Sequence, residues 1–181
     1  MSAPSSTPGH VFWLFGLSGA GKTTLAVMLA NVLRRRGVAV LTLDGDALRS
    51  GLCAGLGFSE EDRTENLRRA AEVARLAVDS GLCVVASFIT PMQAQRDLVG
   101  RIIGEPALTL IHLHAPLAVC QARDVKGLYR GAQTGRVGQM TGITSPFEDP
   151  GTAGLRLETA TTSPETCLDR LVTCATARLG L

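Results

Sequence analysis

The sequence predicts an α/β fold: a doubly wound, five-stranded, mainly parallel sheet with helices on both faces. Three observations carry that expectation. Short apolar runs alternate with longer helical patterns along all 181 residues, which is the pattern of successive βαβ units. The runs Val11 to Phe15 and Leu82 to Phe88 are almost unbroken in apolar residues, as strands covered on both faces require. Between the first strand and the first helix stands Gly16-Leu17-Ser18-Gly19-Ala20-Gly21-Lys22-Thr23. It fits the pattern of Gly, four residues, Gly, Lys and Ser/Thr that cradles phosphate, in the strand–loop–helix context that the motif needs.

The elements follow in order. Residues 1–10 are Ser/Pro-rich, with neither the basic start nor the apolar core of a signal peptide, and read as a disordered lead-in to a single domain over 11–181. Val11 to Phe15 is the first strand and Thr23 to Arg36 the first helix. Its basic end, Arg34-Arg35-Arg36, suits a helix C-terminus closed by Gly37. Val38 to Leu43 is a second strand, broken by Asp44-Gly45-Asp46. A short helix covers Ala47 to Leu52, and a loop runs from Cys53 to Phe58. Ser59 caps a long helix, Glu60 to Ser80, with Asp62 in the place of a capping-box Glu. Gly81 closes that helix, and Leu82 to Phe88 is the third strand. Thr90-Pro91 reads as a helix start, Thr as N-cap and Pro at the first position, for a helix to about Ile103. Ala107 to Leu113 is the fourth strand and Pro116 to Arg123 a helix. The polar, Gly-rich stretch 124–150 has no firm period. Leu155 to Thr159 is the last strand, and Ser163-Pro164 opens a helix to about Leu179.

Composition excludes several classes. Hydrophobic residues make up 45% and charged residues 19%, with a formal net charge of +2. That balance gives no general nucleic-acid surface, and no apolar run reaches membrane-span length. The five cysteines form no Cys-x-x-Cys pair, so neither a disulfide framework nor a zinc site is indicated; reduced thiols in a cytoplasm are expected. His112 and His114 alternate along a strand and read as packing or solvent-facing rather than as metal ligands.

The phosphate loop dictates its own chemistry. Gly16, Gly19 and Gly21 permit positive φ and close approach of the backbone to a phosphate. The amides and the helix N-terminus make an anion site. Lys22 brings a positive charge to the outer phosphates, and the Thr23 hydroxyl is the expected Mg²⁺ ligand. A nucleoside triphosphate is therefore expected here. Ligands of open parallel sheets lie outside the strands' carboxyl ends. Asp44 and Asp46 follow the second strand, Phe88-Ile89-Thr90-Pro91 the third, and Arg123 and the 124–150 stretch the fourth. This set suits a small-molecule kinase, which needs a carboxylate at the acceptor hydroxyl, cations on the moving phosphate and a lid. Asp44 and Asp46 are the candidate carboxylates. One takes the acceptor proton while the other shapes the loop or holds water on Mg²⁺. Arg49, Arg63, Asn66, Arg68 and Arg69 lie on the acceptor side, with Arg68 and Arg69 equally readable as a solvated helix surface. Phe58 is either a stacking platform or a staple against the Glu60 helix.

Six ordered stretches together resemble adenylylsulfate kinase, the family that phosphorylates the 3′-hydroxyl of adenosine 5′-phosphosulfate with ATP. They are residues 16–23, Leu-Asp-Gly-Asp-Ala-Leu-Arg-Ser-Gly-Leu (43–52), Leu-Gly-Phe-Ser-Glu-Glu-Asp-Arg-Thr-Glu-Asn-Leu-Arg-Arg (56–69), Phe-Ile-Thr-Pro (88–91), Ala-Arg-Asp-Val-Lys-Gly-Leu-Tyr (122–129) and Thr-Gly-Ile-Thr-Ser-Pro-Phe-Glu-Asp-Pro (141–150). The resemblance implies Asp46 as the catalytic carboxylate with Asp44 beside it, and Lys22 and Lys126 as catalytic cations. It implies that Gly16, Ser18, Gly19, Ala20, Gly21, Lys22, Thr23, Thr24 and Arg123 hold the donor nucleotide. Arg49, Arg63 and Asn66 would hold the acceptor's sulfate and Phe58 would stack on its adenine. Phe88, Ile89, Thr90, Lys126, Gly127, Leu128 and Met140 complete the acceptor set, with a lid over 124–150. ATP and Mg²⁺ are the implied cofactors, a homodimer the implied assembly, and neither nucleic acid nor membrane a partner.

The chain departs from the family's pattern at four positions. Thr90 replaces a Ser, Gln93 an Arg and Cys53 an Asn. Met140 stands where the family places a Phe that completes the stack on the acceptor base. Met packs on a ring face but gives up aromatic stacking worth roughly 1–3 kcal/mol per base. Two other readings therefore stay open: the same chemistry on a different nucleotide conjugate or small hydroxyl acceptor, and a nucleotide-binding module without kinase chemistry.

Overall fold

The computed structural model describes residues 9–124, 127–133, 140–151 and 154–181. Its strands are β1 (His10–Phe15), β2 (Val40–Asp44), β3 (Cys83–Phe88), β4 (Leu108–His114) and β5 (Leu155–Glu158). They form one sheet in the order β2-β3-β1-β4-β5, and every pairing is parallel. The mainly parallel expectation thus resolves to an all-parallel sheet. The six residues of β1 are all buried, as befits the central strand. Its end is aligned with both neighbours, Phe15 standing opposite Phe88 and His112. The strand order reverses direction at β1, so the crevice that such sheets offer to ligands opens there.

Helices cover both faces. On one, α1 (Lys22–Arg35) and α7 (Pro164–Leu179) bury Leu25, Leu29, Leu33, Leu171 and Ala175 against Phe12, Leu14, Ile111 and Leu113. On the other, α3 (Glu60–Asp79) and α4 (Gln93–Ile103) bury Leu67, Ala70, Ala74 and Val99 against Trp13, Phe15, Val84 and Ala86. Each large apolar side chain buried this way contributes about 1.5–3 kcal/mol. The shorter helices are α2 (Gly45–Arg49), α5 (Leu117–Arg123) and α6 (Leu128–Gln133). Both Gly37 and Gly81 take positive φ. Each closes its helix with paired amide bonds, Gly81 to Val78 and Leu82 to Ala77 in the second case, the Schellman arrangement. Ser59 caps α3 through the Asp62 amide and Ser163 caps α7 through the Thr166 amide.

The structure corrects the reading at several elements. Asp44 and Gly45 do not leave a loop: Asp44 ends β2 and caps α2, which spans Gly45–Arg49 rather than Ala47 to Leu52. Thr90 is not a helix cap. It lies at φ 43°, and its hydroxyl accepts the Trp13 indole N–H at 2.9 Å, so α4 starts later, from Met92. A 3₁₀ turn, Glu105–Ala107, precedes β4. The aperiodic stretch contains α6, whose first amides are held by the Asp124 carboxylate. Among the described residues no helix is long and apolar enough to cross a membrane.

Candidate active site

The carboxyl ends of β1, β2 and β3 open on one cavity of about 1180 Å³. At one end lies the phosphate loop. A Cβ on Gly16 would meet the Leu113 carbonyl oxygen at 2.3 Å, and one on Gly19 the Cys120 carbonyl oxygen at 2.9 Å. Neither position admits a side chain. Gly21, at φ 90°, is the N-cap of α1 and faces open space. The first amides of α1 therefore look onto the cavity, as an anion site needs. The Lys22 ammonium donates to the Leu17 carbonyl at 2.8 Å. The Gly16 amide donates to the Ile89 carbonyl at 3.2 Å, tying the loop to the end of β3.

Asp44 and Asp46 have different surroundings. One Asp44 oxygen accepts the Thr23 hydroxyl at 2.9 Å and the Ser87 hydroxyl at 2.7 Å. The other accepts the Asp46 amide at 3.0 Å and the Ala47 amide at 3.4 Å. Burial pushes this carboxyl up, but the hydrogen bonds from Ser87, Thr23 and the two amides outweigh it and hold the group below its ordinary value. Asp44 is thus an ionised anchor for the Thr23 hydroxyl and for α2. Asp46, in the first turn of α2, lines the cavity wall.

The other half of the cavity is basic and aromatic. Phe58 is 60% exposed, so it is no staple. The Arg49 guanidinium lies 4.4 Å from its ring centroid and that of Arg63 lies 5.9 Å away. Arg49 donates to the Leu56 and Gly57 carbonyls, and Arg63 to the Phe58 carbonyl and the Thr141 hydroxyl. Burial, and next the charge of Arg49, push the Arg63 guanidinium below its ordinary value. Two crowded cations beside an exposed ring describe a place that an anionic, aromatic ligand would relieve. The Asn66 side chain is buried and its Nδ2 has no partner among the described residues, an unmet donor on the same wall.

Ser18, Thr24, Phe88, Ile89, Thr90, Arg123, Leu128 and Met140 also line the cavity. Gly16, Ala20 and Gly127 do not: Gly16 lies against the Leu113 carbonyl, and Ala20 is buried in the core. Lys126 and much of the expected lid lie outside the described residues. Arg68 and Arg69 point away and bond to Glu65 on the surface of α3. Of the departures, Cys53 is buried away from the cavity, and exposed Gln93 bonds to Asp97 and Arg96; Met140 alone joins Thr90 on the wall.

Sequence reasoning missed three contributors. Ser87 shares the Asp44 oxygen with Thr23. Thr141 receives the Arg63 bond. The turn after β5, from Thr159 to Ser163, forms the donor-side wall. Arg123 holds that turn to the phosphate loop by donating to the Gly19 carbonyl at 3.2 Å and the Thr159 carbonyl at 2.6 Å. Its place beyond a strand's carboxyl end was the available signal.

Comparison with known proteins fits this geometry. A family model described as adenylylsulphate kinase matches residues 8–158. The chain belongs to the adenylylsulfate kinase family. An adenylyl-sulfate kinase of Shewanella amazonensis is 50% identical over 152 residues, covering 84% of this chain and 77% of its own. One of Bacteroides fragilis is 43% identical over 172 residues, 95% of this chain and 85% of its own. Among solved structures, the Mycobacterium tuberculosis APS kinase in complex with AMPPNP and APS superposes with a TM-score of 0.87. It is 37% identical, over 92% of this chain and 96% of that one. The family's match thus spans the phosphate loop, α2, α3 and β5, the elements that build the cavity.

Proposed function

We propose that this chain transfers the γ-phosphoryl group of ATP to the 3′-hydroxyl of adenosine 5′-phosphosulfate. The observation that carries the reading is the division of one cavity. A phosphate loop faces one half, and Arg49, Phe58, Arg63 and Asn66 face the other, with the Asp46 carboxylate on the shared wall. The solved relative that holds AMPPNP and APS together supports it.

Each role follows from chemistry. The loop amides and Lys22 bind the donor's phosphates, with Ser18, Thr24 and Arg123 framing the donor half. Magnesium would be held by the Thr23 hydroxyl and the donor's phosphates, with Asp44 fixing that hydroxyl from behind. An oxygen-only set completed by phosphates is what Mg²⁺ prefers. When bound, it neutralises charge on the β- and γ-oxygens. Asp46 orients the acceptor hydroxyl and takes its proton as the new P–O bond forms and the bond to ADP breaks. Arg49, Arg63 and Asn66 hold the sulfate. Phe58 stacks on the adenine, while Phe88, Ile89, Thr90, Leu128 and Met140 wall the acceptor. Lys126 and the 124–150 lid would close over the transferring phosphate and exclude water. A homodimer in the cytoplasm is part of the same proposal.

Met140, on the wall where the family has Phe, favours a second reading in which the acceptor is a related nucleotide conjugate. A panel of nucleotide acceptors with ATP and Mg²⁺ separates the two. The first reading predicts a kcat/KM for adenosine 5′-phosphosulfate about tenfold or more above any other, about 1.4 kcal/mol in the transition state. A higher value for another conjugate would replace the acceptor and keep the chemistry.

A further inference from the structure

Arg96 is 2% exposed and belongs to no part of the cavity wall. A guanidinium is costly to bury unless its donors are met, and here backbone carbonyls and one side-chain amide oxygen meet them. Nη1 donates to the Thr90 carbonyl at 3.1 Å and the Pro91 carbonyl at 2.9 Å, and Nη2 to the Glu148 carbonyl at 3.2 Å. Nε donates to Gln93 Oε1 at 3.1 Å. Behind the guanidinium lies Phe15, its ring centroid 5.5 Å away.

The carbonyls belong to two stretches of chain that meet at the acceptor half. Ile89, Thr90 and Pro91 are on the wall itself. Glu148 ends the segment that carries Met140 and Thr141 to that wall, and its amide donates to the Pro91 carbonyl at 2.9 Å. Thr90 is also strained. Among the described residues it is the one outside glycine whose φ, 43°, falls in the left-handed region. For a β-branched residue this is an unfavourable conformation that persists only where surroundings enforce it. Arg96 on its carbonyl and the Trp13 indole on its hydroxyl are those surroundings.

We propose that Arg96 is a positioning residue for the acceptor half: it holds Thr90 in the left-handed region and staples residues 88–91 to residues 140–148. Gln93 orients it through Nε, which gives a purpose to a residue that lies off the cavity wall. The acceptor's identity rests on the function proposed above; the staple itself rests on the contacts.

Trp13 is the single tryptophan. It bonds to Thr90 and stacks on Phe88 with ring centroids 4.7 Å apart, so its emission reports the shape of this wall. The test compares wild type, Arg96→Met and Gln93→Ala for acceptor KM, AMPPNP affinity and Trp13 emission. Arg96→Met is expected to raise the acceptor KM about tenfold or more, since small displacements of a binding wall are costly. AMPPNP affinity stays within about twofold, and the emission maximum shifts. Gln93→Ala, at the surface, gives a smaller rise of the same kind. An unchanged acceptor KM, or equal losses of donor and acceptor affinity, would overturn the staple. If Arg96→Met does not fold, Gln93→Ala decides by the same criteria. A wild type without turnover would sink the functional reading instead; the emission difference between wild type and Arg96→Met then decides the staple, and no difference overturns it.

Discussion

Asp44 and Asp46 are two residues apart and cannot exchange roles. Asp44 has both oxygens engaged, by Thr23 and Ser87 on one and by two amides on the other. Asp46, in the first turn of α2, lines the cavity and is the carboxylate proposed to take the acceptor proton. Asp46→Asn is expected to lower kcat about 10²- to 10⁴-fold, the usual worth of a general base. AMPPNP affinity, read by calorimetry, should stay near wild type; a parallel loss of binding would assign Asp46 to the donor half. Asp44→Asn should instead raise the magnesium concentration needed for half-maximal activity, because it leaves the Thr23 hydroxyl unfixed. The assignment of these two residues was open in the sequence. Both lie at the end of the same strand, and the side chains that distinguish them by bonding to Asp44, Thr23 and Ser87, stand 21 and 43 positions away. Two buried histidines contribute to the pH response. Burial, and next a nearby arginine (Arg178 for His10, Arg156 for His112), push His10 and His112 down to about 4. The unfolded chain, with histidines near 6.5, binds protons more readily across that window. Stability is therefore complete above about pH 6.5 and falls as the pH drops toward 4. Urea midpoints measured from pH 7 to 4 should decline, and His112→Phe should flatten the slope.

At the scale of elements, α3 does most to shape the acceptor half. Its first turn carries Arg63 and its second Asn66, so the cap that fixes its start also fixes them. Ser59→Ala removes the bond to the Asp62 amide and should cost about 1 kcal/mol in stability. Because Phe58 and Arg63 flank that cap, the acceptor KM should rise while the donor's does not; a stability loss with both constants unchanged would make the cap purely structural. The cap was legible because Ser59 and Asp62 are local signals. So were the Gly37 and Gly81 closures and the buried strands β1 and β3. Thr90-Pro91 had equally good local chemistry and misled. Its hydroxyl is taken by Trp13 from another strand and its carbonyl by Arg96, and no local pattern announces either partner. The α6 helix was hidden for a related reason: six residues anchored by Asp124 and by the Tyr129 hydroxyl on the Ser18 carbonyl are too few to show a period.

At the scale of the whole molecule, the sheet order brings the donor and acceptor halves to one crevice. The phosphate loop follows β1, Asp44 ends β2 and Asp46 follows it, Ile89 and Thr90 follow β3, and Thr159 to Ser163 follow β5. Motif spacing disclosed the first three, since strand ends beside a phosphate loop are where ligands lie. It did not disclose the fourth, which has no charged residue or glycine cluster and reaches the cavity by topology alone. Nor could composition show that Cys53 and Gln93 lie off the wall while Met140 lies on it. Together these parts make the proposed phosphoryl-transfer site between ATP and a nucleotide sulfate. Its most direct test incubates the purified protein with ATP, Mg²⁺ and adenosine 5′-phosphosulfate, then follows the γ-phosphorus by ³¹P NMR. Loss of the γ-signal, stoichiometric ADP and a new phosphomonoester on the acceptor's 3′-oxygen are expected. ATP consumption no faster than without acceptor, or a phosphoryl group at any other position, would contradict the proposal.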